Sequence, residues 1–288
     1  MLHNPVLAKI EQMIRDVGGV ICHGAAHETV TGFVTAPSTT FTSLTMSSGD
    51  STTVKNQDLS KKALLLEAWA FNNVAGTLRI RSTKLHDNVQ GLRYTVLAAL
   101  VFPLITPNFP QRVYPQDPLT VELTGSAVGG EIESASMLLY YEDLPGTAQR
   151  LALPADIKAR GVNDLTVEVS ITTTAGGGWT GLKAINGTFD NFKANTDYAI
   201  LGGATDTRCC SVAVRGPDSG NLRWGFPGET SIRHVTLDWF QRLSNWYGMP
   251  MIPVWNSANK GTMNVEVATD DEAPVTTITW QLVELAPK

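Results

Sequence analysis

Cysteine is scarce in this sequence, and the three cysteines present cannot form a disulfide framework. Cys209 and Cys210 are adjacent, and Cys22 stands alone near the start. Neighbouring residues do not provide the Cα separation of an ordinary structural disulfide, and a disulfide-rich scaffold needs several bridges. The class of small disulfide-stabilised secreted proteins is therefore excluded, and we expect a chain made in a reducing cytoplasm.

Charge is also sparse, and it carries no excess of basic side chains. Charged residues make up 17% of the 288 residues, and 27 acidic against 22 basic side chains leave a net charge of −5. A protein that coats nucleic acid needs a basic face, so we expect no specific nucleic-acid binding. The 43% hydrophobic content at this low net charge also excludes a disordered chain.

Long apolar runs are missing as well. The longest, residues 96–102, meets Pro103, far short of the about 20 residues that span a membrane. The N-terminus does not place a basic segment before an apolar one, so no secretory signal peptide is expected.

Short Thr/Val-rich segments separated by Gly/Pro turns dominate what is present. This pattern is typical of a β-sandwich or jelly roll. Strands are predicted near 63–71, 75–82, 92–102, 119–124, 135–142, 164–173, 197–204, 209–215, 251–255, 262–268 and 275–285. The Ser/Thr-rich segment 24–60 is predicted to be an extended arm or edge strands.

Two helices are predicted in this otherwise all-β chain. Residues 5–17 carry an apolar stripe that includes Ile10, Met13 and Ile14, and this amphipathic helix is a candidate for contact with a neighbouring subunit. Residues 231–247 place apolar side chains at helical spacing before Gly248, with Thr230 or Ser231 as the expected N-cap.

The most informative feature is a weak internal repeat. Four segments of the first half recur in the same order in the second half, offset by about 130–140 residues. The matching pairs are 63–70 with 197–204, 78–82 with 212–216, 90–93 with 220–223, and 134–145 with 275–287. We therefore expect two tandem sandwiches joined near residue 146, with the helix at 231–247 inserted in the second.

Arginine and aspartate recur within this repeat. Arg81 and Arg93 align with Arg215 and Arg223, and each intervening loop contains an aspartate, which is Asp87 or Asp218. Since guanidinium binds carboxylate in a bidentate geometry, these groups are candidates for ion pairs. Either a clamp within each sandwich or a contact between subunits fits the pattern, and the clamp is favoured.

This tandem architecture, with its N-terminal amphipathic helix, resembles the double jelly-roll major capsid proteins of icosahedral bacteriophages. The resemblance covers nearly the whole chain and implies a homotrimer of pseudo-sixfold outline. It also implies neighbouring capsomers, other virion proteins such as a penton protein, and in some cases an internal viral membrane. The chain departs from that family in its first copy, where residues 103–118 are a Pro-rich coil instead of a helix.

Catalytic and metal-binding patterns are weak. Cys22, His23, His27 and Glu28 have ligand-like spacing without HExxH order or a partner cluster. Glu131 with Glu133, and Asp270 with Asp271, are better explained as solvated turns. No enzyme activity, cofactor or metal is expected.

We therefore predict an all-β fold of two tandem jelly-roll sandwiches, with an N-terminal helix and arm over 1–28 and sandwiches over 29–146 and 147–288. The predicted function is a self-assembling major capsid protein located in the virion and assembled in the host cytoplasm. The alternative is a carbohydrate-binding or adhesive β-sandwich, such as a virion decoration or fibre protein, with Trp224 as the test residue.

Overall fold

A computed structural model describes residues 24–85, 87–105, 109–174, 176–269 and 275–287. The predicted helix at 5–17, with Ile10, Met13 and Ile14, lies outside these residues, as do Cys22 and His23.

Two sandwiches of antiparallel sheets follow one another along the chain. The strands of the first are β1 (Ala26–Thr35), β2 (Thr42–Ser43), β3 (Thr45–Met46), β4 (Ala63–Phe71), β5 (Gly76–Arg81), β6 (Leu92–Val96), β7 (Gln111–Val113), β8 (Thr120–Thr124) and β9 (Ile132–Tyr141). One sheet has the order β3-β1-β9-β4-β7 and the other β2-β8-β5-β6.

The second sandwich repeats this plan. Its strands are β10 (Leu151–Ala152), β11 (Gly161–Thr172), β12 (Trp179–Ala184), β13 (Asp197–Thr205), β14 (Cys209–Arg215), β15 (Trp224–Gly228), β16 (Ile252–Asn256), β17 (Asn264–Ala268) and β18 (Val275–Leu285). The sheet orders are β10-β16-β13-β18-β11 and β12-β17-β14-β15.

Strand pairing is nested in the same way in both sandwiches. In the first, β1 pairs with β9, β2 with β8, β4 with β7 and β5 with β6. In the second, β11 pairs with β18, β12 with β17, β13 with β16 and β14 with β15. This first-with-last order is jelly-roll-like. It confirms the internal repeat for three of the four matched pairs, which occupy equivalent strands, whereas residues 220–223 precede β15.

Three short helices lie in the described part of the second half: α1 (Pro154–Arg160), α2 (Arg233–Thr236) and α3 (Trp239–Tyr247). The last two fall within the single helix predicted at 231–247, which is split at Leu237 and Asp238. Gly248 ends α3 with a φ of 65°. The expected N-cap is wrong, because Ile232 precedes α2 without a side-chain cap, and Glu229 instead accepts a hydrogen bond from the Ser231 N–H.

The segment 24–60, predicted to be an extended arm or edge strands, is part of the fold. β1 is a ten-residue strand paired with β9 from Ala26 to Thr35. Threonine is β-branched and favours extended backbone as valine does, so a Thr-rich segment can form a buried strand without a high apolar content. The predicted domain limits at 28/29 and 146/147 stay predictions.

The two faces of the first sandwich's larger sheet belong to different cores. Leu65, Ala68 and Met137 point into the first sandwich. Leu66, Trp69 and Leu138 join a core that continues into the second sandwich. This sheet contacts β14 and β15, so the two sandwiches share a buried surface, which we call the junction.

Candidate functional site

The predicted arginine of the first sandwich lies in an ion pair on the sheet surface. Arg81 donates to Glu122 of β8 through Nε at 3.0 Å and Nη2 at 3.2 Å, and the Arg79 Nε donates to the same carboxylate at 2.6 Å. Asp87 lies in the following turn, where its Oδ1 accepts a hydrogen bond from the Val89 N–H at 2.7 Å. The carboxylate on Arg81 thus comes from a neighbouring strand that sequence reasoning did not name.

The same pair recurs in the second sandwich. Glu266 of β17 is equivalent to Glu122 of β8. Arg215 pairs with Asn264, two residues before Glu266, and Arg81 pairs with Thr120, two residues before Glu122. Arg215 lies 3.9 Å from Glu266, and the Arg223 Nε donates to that carboxylate. The signal for this acid was in the sequence, since Val-Glu-Leu at 121–123 and Val-Glu-Val at 265–267 are a further element of the repeat.

Arg93 and Arg223 are aligned in sequence but not in structure. Leu92 pairs with Ile80, whereas Trp224 pairs with Val214, the equivalent of Ile80. Arg93 is therefore equivalent to Gly225, two residues beyond Arg223. It is exposed and lies 5.2 Å from the centre of the Phe41 ring. The expectation that both arginine pairs occupy the same places is wrong at this position. It requires a loop that is four residues shorter in the second copy, whereas the strand pairing gives a loop that is two residues shorter.

Arg223 connects the two sandwiches. Besides Glu266, it pairs with Asp50 of the first sandwich, and only 6% of the Arg223 side chain and 4% of the Asp50 side chain are exposed. The Asp50 carboxylate also accepts hydrogen bonds from the Thr31 N–H and the Trp179 Nε1–H, both at 2.7 Å. Burial raises the pKa of Asp50 despite the neighbouring guanidinium. This buried pair fixes one side of the junction.

Asp218 acts within the second sandwich. Its Oδ2 accepts hydrogen bonds from the Asn256 N–H and the Asn259 Nδ2–H, both at 2.9 Å. It therefore ties the turn after β14 to the end of β16, and among the described residues its carboxylate makes no hydrogen bond across the junction.

The outer edge of β1 is covered, mostly by the second sandwich. The His27 N–H donates to Gln149 at 2.9 Å, and the Gln149 side chain donates back to the His27 carbonyl at 2.8 Å. The Thr29 N–H donates to the Arg223 carbonyl at 2.8 Å, and the Thr31 N–H to Asp50. An uncovered edge strand invites pairing with other chains, so these contacts remove one such edge.

Small hydroxyl groups line the middle of the junction. Trp69 Nε1–H donates to the Cys210 carbonyl at 2.9 Å and to the Ser211 Oγ at 2.8 Å. Ser136 Oγ lies 2.7 Å from Ser211 Oγ and 2.6 Å from Thr31 Oγ1. A connected polar network in a buried interface favours one relative placement of the two surfaces.

His27 is a structural residue of the junction. Its Nε2 lies 3.0 Å from the Met251 carbonyl and must be the donor, because a carbonyl only accepts. Its ring centre lies 5.6 Å from that of Phe240. Burial lowers the pKa of His27 to about 3, although the bond to Met251 opposes the shift. Glu28, the next residue of the strand, lies on the opposite face and pairs with Lys55, so the two cannot share a metal.

Aromatic residues between Trp224 and Trp255 form part of the core. Trp224, Phe226, Trp239, Phe240 and Trp255 are fully buried. Within the described part of the chain, no group of three or more His, Cys, Asp or Glu side chains could hold a metal ion. No helix among the described residues is long and apolar enough to cross a membrane.

Comparisons with known proteins return distant structural likenesses alone. No protein-family model matches the chain, and no curated protein matches its sequence. The PBSX exported protein XepA is 8% identical, with a TM-score of 0.28, over 91% of this chain and 88% of its own. The major capsid protein P2 from bacteriophage PM2 is 8% identical, with a TM-score of 0.21, over 92% and 98%.

The T=1 Penaeus vannamei nodavirus structure is a third likeness. It is 11% identical, with a TM-score of 0.24, over 90% of this chain and 97% of its own. At such identities and TM-scores, none of these likenesses carries an argument about function.

Proposed function

We propose that this chain is a structural subunit of a virion shell, a major capsid protein that assembles with copies of itself. The observation that carries the proposal is the tandem of two nested sandwiches fused through one buried core. Fold alone does not determine function, but two fused sandwiches are the arrangement that the resemblance to double jelly-roll capsid proteins implies.

The edges of the sheets support this proposal. Half of the eight edge strands in the described residues are very short: β2, β3 and β10 have two residues each and β7 has three. β6, β12 and β15 have five or six residues. β11 is different, because it has twelve residues, pairs with β18 on one side and lies at the end of its sheet. Short edges limit unwanted pairing, whereas β11 leaves a long edge for contact with a neighbouring subunit.

The proposed partners follow from the shell. They are two further copies in a homotrimer, neighbouring capsomers, other virion proteins such as a penton protein, and in some particles an internal membrane. The proposed location is the virion, after assembly in the host cytoplasm. The chain would act without catalysis, without a cofactor and without specific nucleic-acid binding.

Mass in solution tests the proposal. Light scattering of the purified chain should give a trimer of about 93 kDa, since one chain has a mass of 31.1 kDa, or larger shells visible by electron microscopy.

Ile10→Asp combined with Ile14→Asp should abolish higher assembly, and Lys9→Ala combined with Glu11→Ala is the matched control off the apolar stripe. A chain that stays monomeric at high concentration, and also when mixed with other proteins of its virion, contradicts the proposal.

The residue chosen to test the carbohydrate-binding alternative is not accessible to a ligand. Trp224 is fully buried and cannot stack on a sugar ring. Phe41 is a surface aromatic, but the Arg79 guanidinium lies 3.8 Å from its ring centre and covers that face. Glycan-array binding that Phe41→Ala abolishes would favour the alternative over the shell.

A further inference from the structure

Each sandwich contributes a different sheet to the junction. The second sandwich contributes its smaller sheet, because the Ser211 hydroxyl of β14 contacts the Trp69 and Ser136 side chains. The first sandwich contributes its larger sheet, to which Trp69 and Ser136 belong. Within one chain, the junction therefore leaves open the outward face of the first sandwich's smaller sheet and the outward face of the second sandwich's larger sheet.

The open face of the first sandwich is equivalent to the buried face of the second. We call it the head face, and it includes Thr77 of β5 and Arg93 of β6. Thr77 lies four residues before Arg81 on β5. Ser211 lies four residues before Arg215 in the same way, so Thr77 occupies the position of Ser211. A cavity of about 390 Å³ opens on the head face, and Arg93 is the only charged residue in its lining among those described.

The open face of the second sandwich resembles the buried face of the first. We call it the tail face, and it includes Ser170 of β11 and Thr277 of β18, since α2 and α3 pack on β13. In the junction, Thr31 and Ser136 pair in register with 2.6 Å between their hydroxyl oxygens. On the tail face, Ser170 and Thr277 pair in register with 3.1 Å between theirs, and this pair is exposed. The repeat aligns Ser136 with Thr277, so the tail face presents the hydroxyl pair of the junction without its cover.

The repeat also places opposite charges at matching positions of the two faces. In the junction, a Cβ added at Gly225 would lie 2.8 Å from Thr29 Oγ1, so β15 approaches β1 closely here. Arg93 is equivalent to Gly225 on the head face. Glu168 of β11 aligns with Thr29 through the matched segments of β9 and β18. If one face covered the other as in the junction, Arg93 would meet Glu168.

The surroundings of these two residues reinforce the match. Glu168 and Asp206 line a tail-face cavity of about 240 Å³, and Arg233 is the only basic residue in its lining among those described. The tail-face cavity is therefore acidic, whereas the head-face cavity carries the positive charge of Arg93. Opposite charges across an interface raise the association rate and fix the register of the partners. A second copy of this chain is thus a partner of matching charge.

We propose that a second copy of this chain places its head face on the tail face, so that the contact between chains repeats the junction within each chain. This inference rests on the proposed self-assembly and names the surfaces through which it proceeds. The contact is heterologous, because different surfaces of the two copies meet, and such contacts form a ring when their rotation closes. In the proposed trimer, three of these contacts arrange six sandwiches in one ring.

Two variants, each with one blocked face, test the contact by light scattering. Thr77→Trp places a bulky ring on the head face, and Thr279→Trp places one in the lining of the tail-face cavity. Each variant alone should be a monomer, because it retains only one kind of intact face. Their equimolar mixture should form a dimer of about 62 kDa, which is twice the 31.1 kDa of one chain. Thr262→Trp, at an exposed threonine before β17, is the matched control and should assemble as the unaltered chain does.

Charge exchange provides a second measurement if a tryptophan variant does not fold. Arg93→Glu or Glu168→Lys alone should weaken self-association at least tenfold, and both changes in one chain should restore it, since every contact takes one residue from each copy. A mixture of the tryptophan variants that stays monomeric, or charge changes without effect on an assembling chain, overturns this contact and leaves the shell proposal intact. An unaltered chain that never associates contradicts both proposals.

Discussion

Arg223 is the residue on which the junction depends most. Its guanidinium lies among Glu266, Asp50 and the Trp179 ring, whose centre is 5.0 Å away. A buried ion pair need not stabilise a fold relative to apolar residues, but removal of one partner leaves a buried charge without compensation. Replacement of this arginine should therefore lower the free energy of unfolding much more than replacement of an exposed arginine.

Arg223→Met should lower the free energy of unfolding by about 3–5 kcal/mol, measured by denaturant titration at neutral pH. Arg93→Met, on an exposed side chain, is the matched control and should change it by less than about 0.5 kcal/mol. Part of the loss in Arg223→Met should be recovered as the pH is lowered, because burial raises the pKa of Asp50 and protonation removes the uncompensated charge. Equal effects of the two variants would show that the junction does not rely on the pair.

Glu67 is a buried carboxyl without a cationic partner among the described residues. Its Oε1 accepts hydrogen bonds from the N–H groups of Ala68, Leu104 and Ile105, whereas its Oε2 has none. Burial raises the pKa of Glu67 to about 8, although the three N–H donors oppose the shift. The folded protein therefore holds a proton that an unfolded chain releases near pH 4.5.

This raised pKa sets the sign of a pH effect. Between about pH 4.5 and 8 the folded state binds more protons, so the contribution of Glu67 to stability is complete below pH 4.5 and is lost as pH rises through 8. A pKa difference of one between the folded and unfolded states corresponds to about 1.4 kcal/mol of stability. Glu67→Gln should therefore become more stable relative to the unaltered chain between pH 5 and pH 8, measured by denaturant midpoints. A constant difference between the two proteins would contradict this.

At the scale of elements, periodicity and the repeat predicted most of the sheet. Segments with many apolar residues, such as β4, β14 and β18, were predicted with the limits that the structure shows. β1 was assigned to an extended arm or edge strands because Thr29 and Thr31 stand where a buried strand would have apolar residues. Their burial depends on partners far along the chain. β7, with three residues, is too short for any periodic pattern.

The candidate site was less predictable than the sheets. The arginines were identified, but their carboxylates, Glu122, Glu266 and Asp50, were not, because pairing across strands depends on register. Register also depends on loop length. Matching Arg223 to Arg93 requires a loop four residues shorter in the second copy, but the strand pairing makes it two residues shorter, so the two arginines are not equivalent. Asp50 lies in a polar stretch whose composition gives no sign that it will be buried.

Close contact between β1 and β15 requires a glycine. A Cβ added at Gly225 would lie 2.8 Å from Thr29 Oγ1 and 2.9 Å from its Cβ. Gly225→Ala should therefore cost about 1–3 kcal/mol by overpacking, and Thr29→Ala in the same chain should restore part of it, which a double-mutant cycle measures. Gly129→Ala, at a site with open space, is the control and should be nearly neutral. Additive effects of the two changes would show that β1 and β15 are not in direct contact.

The whole molecule behaves as one body because its larger core crosses the junction. Trp69 packs edge-on against Trp239, with 5.8 Å between ring centres, and the Tyr247 hydroxyl donates to the Leu66 carbonyl at 3.0 Å. The Arg208 side chain donates a hydrogen bond to the Ala99 carbonyl at 2.5 Å. The Glu229 carboxylate accepts a hydrogen bond from the Val101 N–H at 3.0 Å. Separation of the sandwiches would expose these aromatic faces and leave these polar groups without partners.

Calorimetry of the full chain should therefore show a single unfolding transition, with equal calorimetric and van't Hoff enthalpies. Residues 24–146 alone should not fold cooperatively, because Trp69, Phe71 and Tyr140 would lose the surface that covers them. Trp69→Ala, at a cost of about 3–5 kcal/mol, should lower the Tm of the one transition without dividing it. Two resolved transitions, or a fragment with native-like near-ultraviolet dichroism, would mean that each sandwich is stable by itself. A single transition would instead mean that neither sandwich is stable without the surface that the other one covers.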